Sequence, residues 1–276
     1  MTERFVRRLQ EGSFAVTLEI TPPKKPLPEV LRKRARMLGE SADAINVIQR
    51  PGRTSSLAAS IELLAADLEP VLHIANRGRS RVELAAEIAM AEQVGIRSVL
   101  CIRGDHDDRD REDTPKLREL VGMICNGLPE GLVGATANQY GSEDRVLRNL
   151  LPKLQAGVQF VQTQPVFEWE KFRALANAIK QRSPETFLVP MLMPMLSADS
   201  ARSVGERLGV RLPEAMLTRL EQSGEAAGWQ LFAEQLQRLH ESPLADGIAL
   251  MTREMDPPEV VTQRIAQMIA ALRKPS

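Results

Sequence analysis

The sequence predicts a (β/α)8 barrel, and three observations lead to this fold class. Short apolar runs alternate with longer stretches of helical periodicity along the whole chain. The apolar runs are nearly continuous, which is typical of parallel strands that are buried on both faces. Eight such units fill 276 residues, an ordinary length for a barrel of this kind. We therefore expect a single domain over residues 1–276.

The candidate strands follow one another at regular intervals. They are FAVTLEI (14–20), AINVI (44–48), PVLHIA (70–75), SVLCI (98–102), LVGATA (132–137), VQFVQT (158–163), FLVPML (187–192) and GIALM (247–251). Helical patterns such as residues 80–95 and 143–157 lie between them, and several are followed by Gly, a common helix stop. The longer segment between the last two strands predicts two or three extra helices.

A doubly wound open sheet would show the same alternation of strands and helices. In such a sheet the first strand is commonly followed by a G-x-G-x-x-G fingerprint. Here the first strand is followed by ITPPKKPLPE, so the barrel is the better interpretation.

The composition argues against several classes of protein. The 36 basic and 36 acidic residues cancel, which gives no net charge to favour nucleic acid or an anionic membrane. No apolar run approaches the roughly 20 residues of a membrane span, and the N-terminus lacks a signal-peptide pattern. Cys101 and Cys125 are the only cysteines and form no Cys/His cluster, which argues against a metal site. We expect a cytoplasmic protein that binds neither nucleic acid nor membrane.

Polar residues gather at the C-terminal ends of the predicted strands, where a barrel carries its active site. Glu19 ends the first strand and His73 lies near the end of the third. Arg103, Gly104 and Asp105 directly follow the fourth strand. The polar residues that follow the fifth and sixth strands include Asn138 and Gln164. Their common location predicts a functional site at this end of the barrel.

Each of these residues also has a purely structural interpretation, and both interpretations stay open. Glu19 could be a solvated strand end, and His73 a hydrogen-bonded core histidine. Arg103 and Asp105 could pair with each other in a solvated loop. Gln164 could belong to a turn, because a residue before proline is held out of the helical region. No nucleophilic triad or Walker loop is present. The side chains include no obvious electron carrier, so a redox reaction would need a borrowed cofactor.

Four segments, in the same order along the chain, resemble the methylenetetrahydrofolate reductase family of flavin-containing (β/α)8 barrels. They are LEITPPK (18–24), GIRSVLCIRGDH (95–106), VGATANQYGSED (133–144) and KLQAGVQFVQTQPVFE (153–168). INVIQRPGRTSSLAA (45–59) and PVLHIANRGRSR (70–81) are similar to family members from one-carbon pathways of anaerobes. The resemblance extends from about residue 14 to residue 200.

The resemblance implies a reaction and its cofactors. Hydride would pass from NADH or NADPH to FAD and then to the one-carbon unit of 5,10-methylenetetrahydrofolate, giving the 5-methyl form. Glu19 would be the general acid, and Asp105 would stabilise the cationic intermediate. The residues implied to bind the cofactor are His73, Arg103, Gly104, Asp105, Asn138 and Lys153. The residues implied to bind the folate are Glu19, Gln164, Phe167 and Arg253, of which Phe167 could equally be a packing residue.

The sequence departs from the family pattern at three strand ends. Ile48 stands where the second strand usually ends in Thr, and Ala137-Asn138 stands where many members carry a Tyr near the flavin. After the eighth strand, many members have an aromatic residue and an Arg that hold the folate tail, and Arg253 is the candidate to replace that Arg from a shifted position. The arginines that could instead bind cofactor phosphates are Arg50, Arg53, Arg77 and Arg79.

Three other functions remain open. The same site could oxidise methyltetrahydrofolate, because one transition state serves both directions. The barrel could also bind folate or a partner subunit without redox chemistry. A pterin-dependent methyltransferase is disfavoured, because Glu19, the Arg-Gly-Asp segment and the Thr-Gln pair together fit the reductase pattern. A homo-oligomer is a further possibility, since the outer helices are rich in Leu, Met and Ala.

Overall fold

The computed structural model describes residues 3–104 and 112–273, and within them the strands form one closed parallel barrel in chain order. The predicted (β/α)8 fold is thus confirmed. The strands are β1 (Ala15–Ile20), β2 (Ala44–Val47), β3 (Pro70–Ala75), β4 (Ser98–Ile102), β5 (Leu132–Ala137), β6 (Phe160–Pro165), β7 (Phe187–Leu192) and β8 (Gly247–Met251). Asp105, a predicted site residue, lies outside the described residues.

Helices cover the outside of the barrel. In the described part of the chain they are α1 (Arg4–Gln10), α2 (Pro28–Ala35), α3 (Ser56–Leu64), α4 (Arg81–Gln93), α5 (Leu117–Gly127), α6 (Glu143–Gln155), α7 (Trp169–Arg182), α8 (Ala198–Leu208), α9 (Glu214–Glu241) and α10 (Glu259–Leu272). Of the two or three helices predicted between the last strands, the structure has α8 and α9, and α9 is interrupted by a kink at Gly224, where φ is 51°. None of these described helices is long and apolar enough to span a membrane.

The sixth strand lies two residues further along the chain than the sequence predicts. It spans Phe160–Pro165 rather than residues 158–163. Pro165 pairs with Met191 of β7 after a shift in register, at the strand end, where proline's missing N–H is tolerated. Gln164 therefore lies within the strand and does not follow it.

The lower half of the barrel interior is a closed apolar core. The inward-facing residues there are Ala15, Ala44, Val71, Leu100, Leu132, Phe160, Val189 and Ala249. Gly134 leaves room for Phe160, because a Cβ at this glycine would lie 2.2 Å from the phenylalanine ring. Helix α1, which the sequence analysis does not predict, closes the N-terminal end with Phe5, Val6 and Leu9. Ligands can therefore approach the barrel axis only from the C-terminal end.

A buried carboxylate, Asp43, lies directly before β2 and connects it to α1, β1 and the end of α10 at the closed end. Its side chain is 1% exposed and accepts hydrogen bonds from Arg8 Nε of α1 and from the backbone N–H of Val16 in β1, both at 2.8 Å. Arg273, directly after α10, donates to the same carboxylate. A buried ion pair is strongly destabilising when one partner loses its charge, because the other charge is left uncompensated.

We expect Asp43→Asn to lower the free energy of unfolding by about 3 kcal/mol, because Arg8 and Arg273 lose their buried counter-charge. Urea denaturation followed by circular dichroism measures this change. Glu40→Gln is the matched control, since it removes an ion pair to Arg4 of α1 in which the Glu40 side chain is 94% exposed. Its effect should fall within experimental error. Equal losses in the two variants would contradict the role given to Asp43.

Candidate active site

The inward face of the barrel changes from apolar to polar toward the C-terminal ends of the strands. On β1 it runs from Ala15 to Thr17 and Glu19, and on β2 from Ala44 to Asn46. Side chains on a strand alternate between its two faces, so residues two apart share the inward face. The polar layer therefore lies directly above the apolar core.

Four of these polar side chains form a hydrogen-bonded chain across the barrel. Asn46 Nδ2 donates to Thr17 Oγ1 at 2.8 Å and to Gln162 Oε1 at 3.1 Å. Gln162 Nε2 in turn donates to Glu19 Oε2 at 3.2 Å. These hydrogen bonds join β1 and β2 to β6 through the barrel interior. The last of them reaches the carboxyl group that the sequence predicts to be catalytic. We call these four residues the Glu19 network.

The environment of Glu19 changes its acidity. Burial raises the pKa of this carboxyl to about 7, while the hydrogen bond from Gln162 opposes the rise. Although the carboxyl is enclosed, the residue as a whole is partly exposed at the open end of the barrel. A carboxyl with a pKa near neutrality can both hold and release a proton under ordinary conditions, as a general acid or base requires.

A raised pKa alone does not identify the site, because a second carboxyl shows the same shift. Burial also raises the pKa of Glu69 to about 7, at the closed end of the barrel. Glu69 Oε2 accepts a hydrogen bond from the backbone N–H of Phe5 at 3.3 Å, so this carboxyl anchors α1. Glu19 differs because it faces the open end and is held by another side chain. Its location, together with its acidity, marks the candidate active site.

The C-terminal ends of β3 and β4 offer groups that could contact a flat polar ligand. His73 is buried, and burial lowers its pKa to about 3, so the imidazole is neutral. Among the described residues, its Nε2 and the Oδ1 of Asn76 have no hydrogen-bond partner. Gly104 has φ +91°, and a Cβ there would lie 3.2 Å from Ala75 Cβ, so only glycine lets the backbone approach β3 this closely.

Three other residues predicted to bind the cofactor have different surroundings. Arg103 is exposed. Asn138 is also exposed, and its Oδ1 accepts a hydrogen bond from the Tyr140 N–H at 3.0 Å. Lys153, on α6, donates through Nζ to the Thr136 carbonyl oxygen at 3.0 Å, and burial lowers the pKa of its amine.

The predicted folate-binding residues occupy different surroundings. Gln164 is partly exposed. The Gln139 side chain holds the Gln164 backbone: Gln139 Nε2 donates to the Gln164 carbonyl oxygen at 2.8 Å, and Gln139 Oε1 accepts from the Gln164 N–H at 3.1 Å. Phe167 is buried in an apolar cluster with Met193, so it packs against the extra helices. Arg253 is exposed and lines a groove of about 340 Å³ between the loops after β7 and β8.

The sequence analysis missed Thr17, Asn46 and Gln162, although a signal for them was present. Each lies inside a predicted strand, at an even spacing from an inward-facing apolar residue. Reading the inward face of each strand, and not only its last residue, would have selected them. In the described residues, no group of three or more His, Cys, Asp or Glu side chains is arranged to hold a metal ion.

Several solved structures share this barrel. A protein from Clostridium thermocellum, described as uncharacterised and as binding two copies of 5-methyl-5,6,7,8-tetrahydrofolic acid, superposes with a TM-score of 0.69 at 15% identity. The match covers 97% of this chain and 99% of that one. Tryptophan synthase from Mycobacterium tuberculosis gives a TM-score of 0.57 at 12% identity, with 98% and 99% covered. At these identities the likeness concerns the fold.

Sequence comparison gives a more specific relationship. A probable methylenetetrahydrofolate reductase (NADPH) from Caenorhabditis elegans is 24% identical over 91% of this chain and 42% of the relative. Methylenetetrahydrofolate reductase 2 from Schizosaccharomyces pombe is 22% identical over 78% of this chain and 38% of the relative. The chain thus spans about two fifths of the length of these relatives. The family model for methylenetetrahydrofolate reductase matches residues 4–264. The chain belongs to the methylenetetrahydrofolate reductase family.

Proposed function

We propose that this chain is an oxidoreductase that interconverts 5,10-methylenetetrahydrofolate and 5-methyltetrahydrofolate. The observation that carries the proposal is Glu19, a carboxyl group with a pKa of about 7 at the open end of a barrel of this family. The folate ligand named for the Clostridium thermocellum barrel supports the same class of substrate.

Glu19 supplies the proton that the reaction needs. Opening the bridging methylene group requires protonation of the departing nitrogen, and this leaves a cationic iminium at the other nitrogen. Below about pH 7 Glu19 is protonated and can donate this proton. In the reverse direction the carboxylate takes the proton back. Asp105 is our candidate for stabilising the cationic intermediate, because a nearby carboxylate lowers the energy of a positive charge.

Gln164 and Arg253 are the candidates for holding the folate. The Gln164 amide offers both a donor and an acceptor, which matches the amide edge of a pterin ring. Its backbone is fixed by Gln139, which limits the directions the side chain can take. Arg253 can pair with the carboxylates of the folate tail from the groove beside the mouth of the barrel.

The groups at the ends of β3 and β4 fit a flavin ring. The unpartnered Nε2 of His73 can bond a polar ring atom, and Gly104 lets a ring lie close to the backbone. Arg77 and Arg79, in the loop after β3, are candidates for the cofactor phosphates. FAD, when bound there, supplies a carrier that takes hydride from NADH or NADPH and delivers it to the folate.

The absorption spectrum of the purified chain tests the cofactor. We expect flavin bands near about 450 nm that bleach when NADH or NADPH is added without oxygen. The nucleotide that bleaches them faster is the electron donor. A chain that stays colourless and binds no added FAD would remove the flavin from the proposal.

Glu19→Gln should lower the rate of folate reduction at least ~100-fold, because the donated proton is lost. Reduction of the flavin by NAD(P)H should stay within about twofold, since that step needs no proton from Glu19. Stopped-flow measurement of the two half-reactions separates these effects. In the wild type, the folate step should be constant below pH 7 and fall about tenfold per unit above it, because only the protonated carboxyl is active.

Glu69→Gln is the matched control for this prediction. It removes the other carboxyl whose pKa is raised to about 7, but at the closed end of the barrel. The folate step and its pH dependence should stay as in the wild type. Equal loss of both half-reactions in Glu19→Gln, or an unchanged folate step, would remove Glu19 from the acid role.

Gln164→Ala should raise the KM for the folate about tenfold and change the nicotinamide half-reaction little, because the pterin loses its donor and acceptor. Steady-state kinetics with varied folate measures the effect. Gln159→Ala, directly before the N-terminal end of the same strand, is the control and should leave this KM unchanged. An unchanged KM in Gln164→Ala would contradict a contact with the pterin.

A second candidate function is folate binding without redox chemistry. It is favoured by Lys153 and Asn138, which the resemblance assigns to the cofactor but which bond within the chain instead. Calorimetry with 5-methyltetrahydrofolate, on protein that binds no added FAD, would identify this function. For a chain that does bind FAD, steady-state rates with each folate, using NAD(P)H or an artificial electron acceptor, decide the main direction.

A further inference from the structure

We propose that Gln162 is a positioning residue for Glu19, whose side-chain amide holds one carboxyl oxygen and directs the acidic proton to the other. Its importance for catalysis rests on the proposed function. The positioning itself rests on the hydrogen bonds of the Glu19 network and can be tested without substrate.

The orientation of the Gln162 amide is fixed by Asn46, on the side away from Glu19. Asn46 Nδ2 carries two hydrogens, and acceptors for them are Thr17 Oγ1 and Gln162 Oε1. The oxygen of the Gln162 amide therefore faces Asn46, and its nitrogen faces Glu19. A reversed amide would put nitrogen against nitrogen at Asn46 and oxygen against oxygen at an ionised Glu19. The network thus allows a single polarity when Glu19 is charged.

This polarity distinguishes the two oxygens of the Glu19 carboxyl. Gln162 Nε2 can only donate, and it lies 3.2 Å from Oε2. Oε2 therefore accepts this hydrogen bond in the charged form, and while the amide keeps this orientation the proton of the acid form is carried on Oε1. A general acid works only when its proton points at the receiving atom. Gln162 consequently fixes both the position and the protonated atom of the acid.

The other described neighbours of Glu19 leave this role to Gln162. In register with Glu19 on the flanking strands stand Asn46 of β2 and Met251 of β8, both uncharged. On β3, His73 is neutral because burial lowers the pKa of its imidazole. Arg253, two residues beyond β8, lies beside the carboxylate of Glu254. Within residues 3–104 and 112–273, Gln162 is the one side chain that hydrogen-bonds Glu19.

Packing alone does not explain a layer of polar side chains directly above the apolar core of the barrel. The Oδ1 of Asn46 is buried, and within the described residues it has no hydrogen-bond partner. Such an atom destabilises the folded state, and apolar side chains would fill the same space without this loss. The arrangement is therefore explained by what it does to the carboxyl group above it.

The experiment measures the pKa of Glu19 directly in the full chain without substrate. NMR of protein labelled with ¹³C at the glutamate carboxyls follows each titration, and the Glu19 signal is the one missing in Glu19→Gln. Gln162→Met keeps the length of the side chain but removes the N–H. We expect the Glu19 pKa to rise by about one unit, because the charged form loses its hydrogen bond. Gln159→Met, directly before the N-terminal end of β6, should leave the Glu19 pKa unchanged.

Gln162→Asn provides a second variant in case the methionine does not fold. It keeps an amide but is one methylene shorter, so it cannot reach Glu19 and Asn46 together, and the same rise is expected. The folate half-reaction adds a second readout. The pH at which its rate begins to fall should rise together with the Glu19 pKa, and its rate at low pH should fall about tenfold. An unchanged Glu19 pKa in a folded Gln162 variant overturns the proposal. A shifted pKa in a chain that turns over no folate supports the positioning and overturns the proposed function instead.

Discussion

The burial of a carboxyl group inside a closed barrel is the constraint on which the rest of the structure depends. Barrel closure pairs every strand on both sides, so an inward-facing polar group can bond only to other inward-facing groups, to water or to a ligand. Glu19 meets this constraint through Gln162, and Gln162 meets it through Asn46. The hydrogen-bond chain and the acidity of the carboxyl therefore have the same cause.

The two ends of the barrel use burial for different purposes. At the closed end, α1 fills the opening with apolar side chains, and Asp43 holds that helix against β1 and the C-terminal helix. At the same end, Glu69 accepts a hydrogen bond from the backbone N–H of Phe5, which makes it part of the scaffold. At the open end, the same desolvation acts on Glu19, but its partner is a side chain and its surroundings remain accessible. The closed end thus leaves the C-terminal end of the barrel as the place of the candidate active site.

The candidate active site has two unequal halves. The side formed by β1, β2 and β6 is a continuous hydrogen-bonded network. The side formed by β3 and β4 instead offers polar atoms that have no hydrogen-bond partner within the described residues, and a close backbone approach at Gly104. Groups that already have partners suit proton transfer, because they must not move during the reaction. Groups that lack partners suit a bound ring, which would supply the missing hydrogen bonds.

Sequence alone determined the barrel, most of the strand boundaries and the position of Glu19 near the C-terminal end of β1. These features are local: buried strands read as apolar runs, and Glu19 stands at a recognisable strand end followed by a Pro pair. Helix α1, the extent of β6 and the partner of Glu19 depended on the tertiary structure. Which inward-facing residues meet across a barrel is set by the stagger of all eight strands together. Gln162 lies 143 residues from Glu19, and only closure of the barrel brings the two side chains within hydrogen-bonding distance.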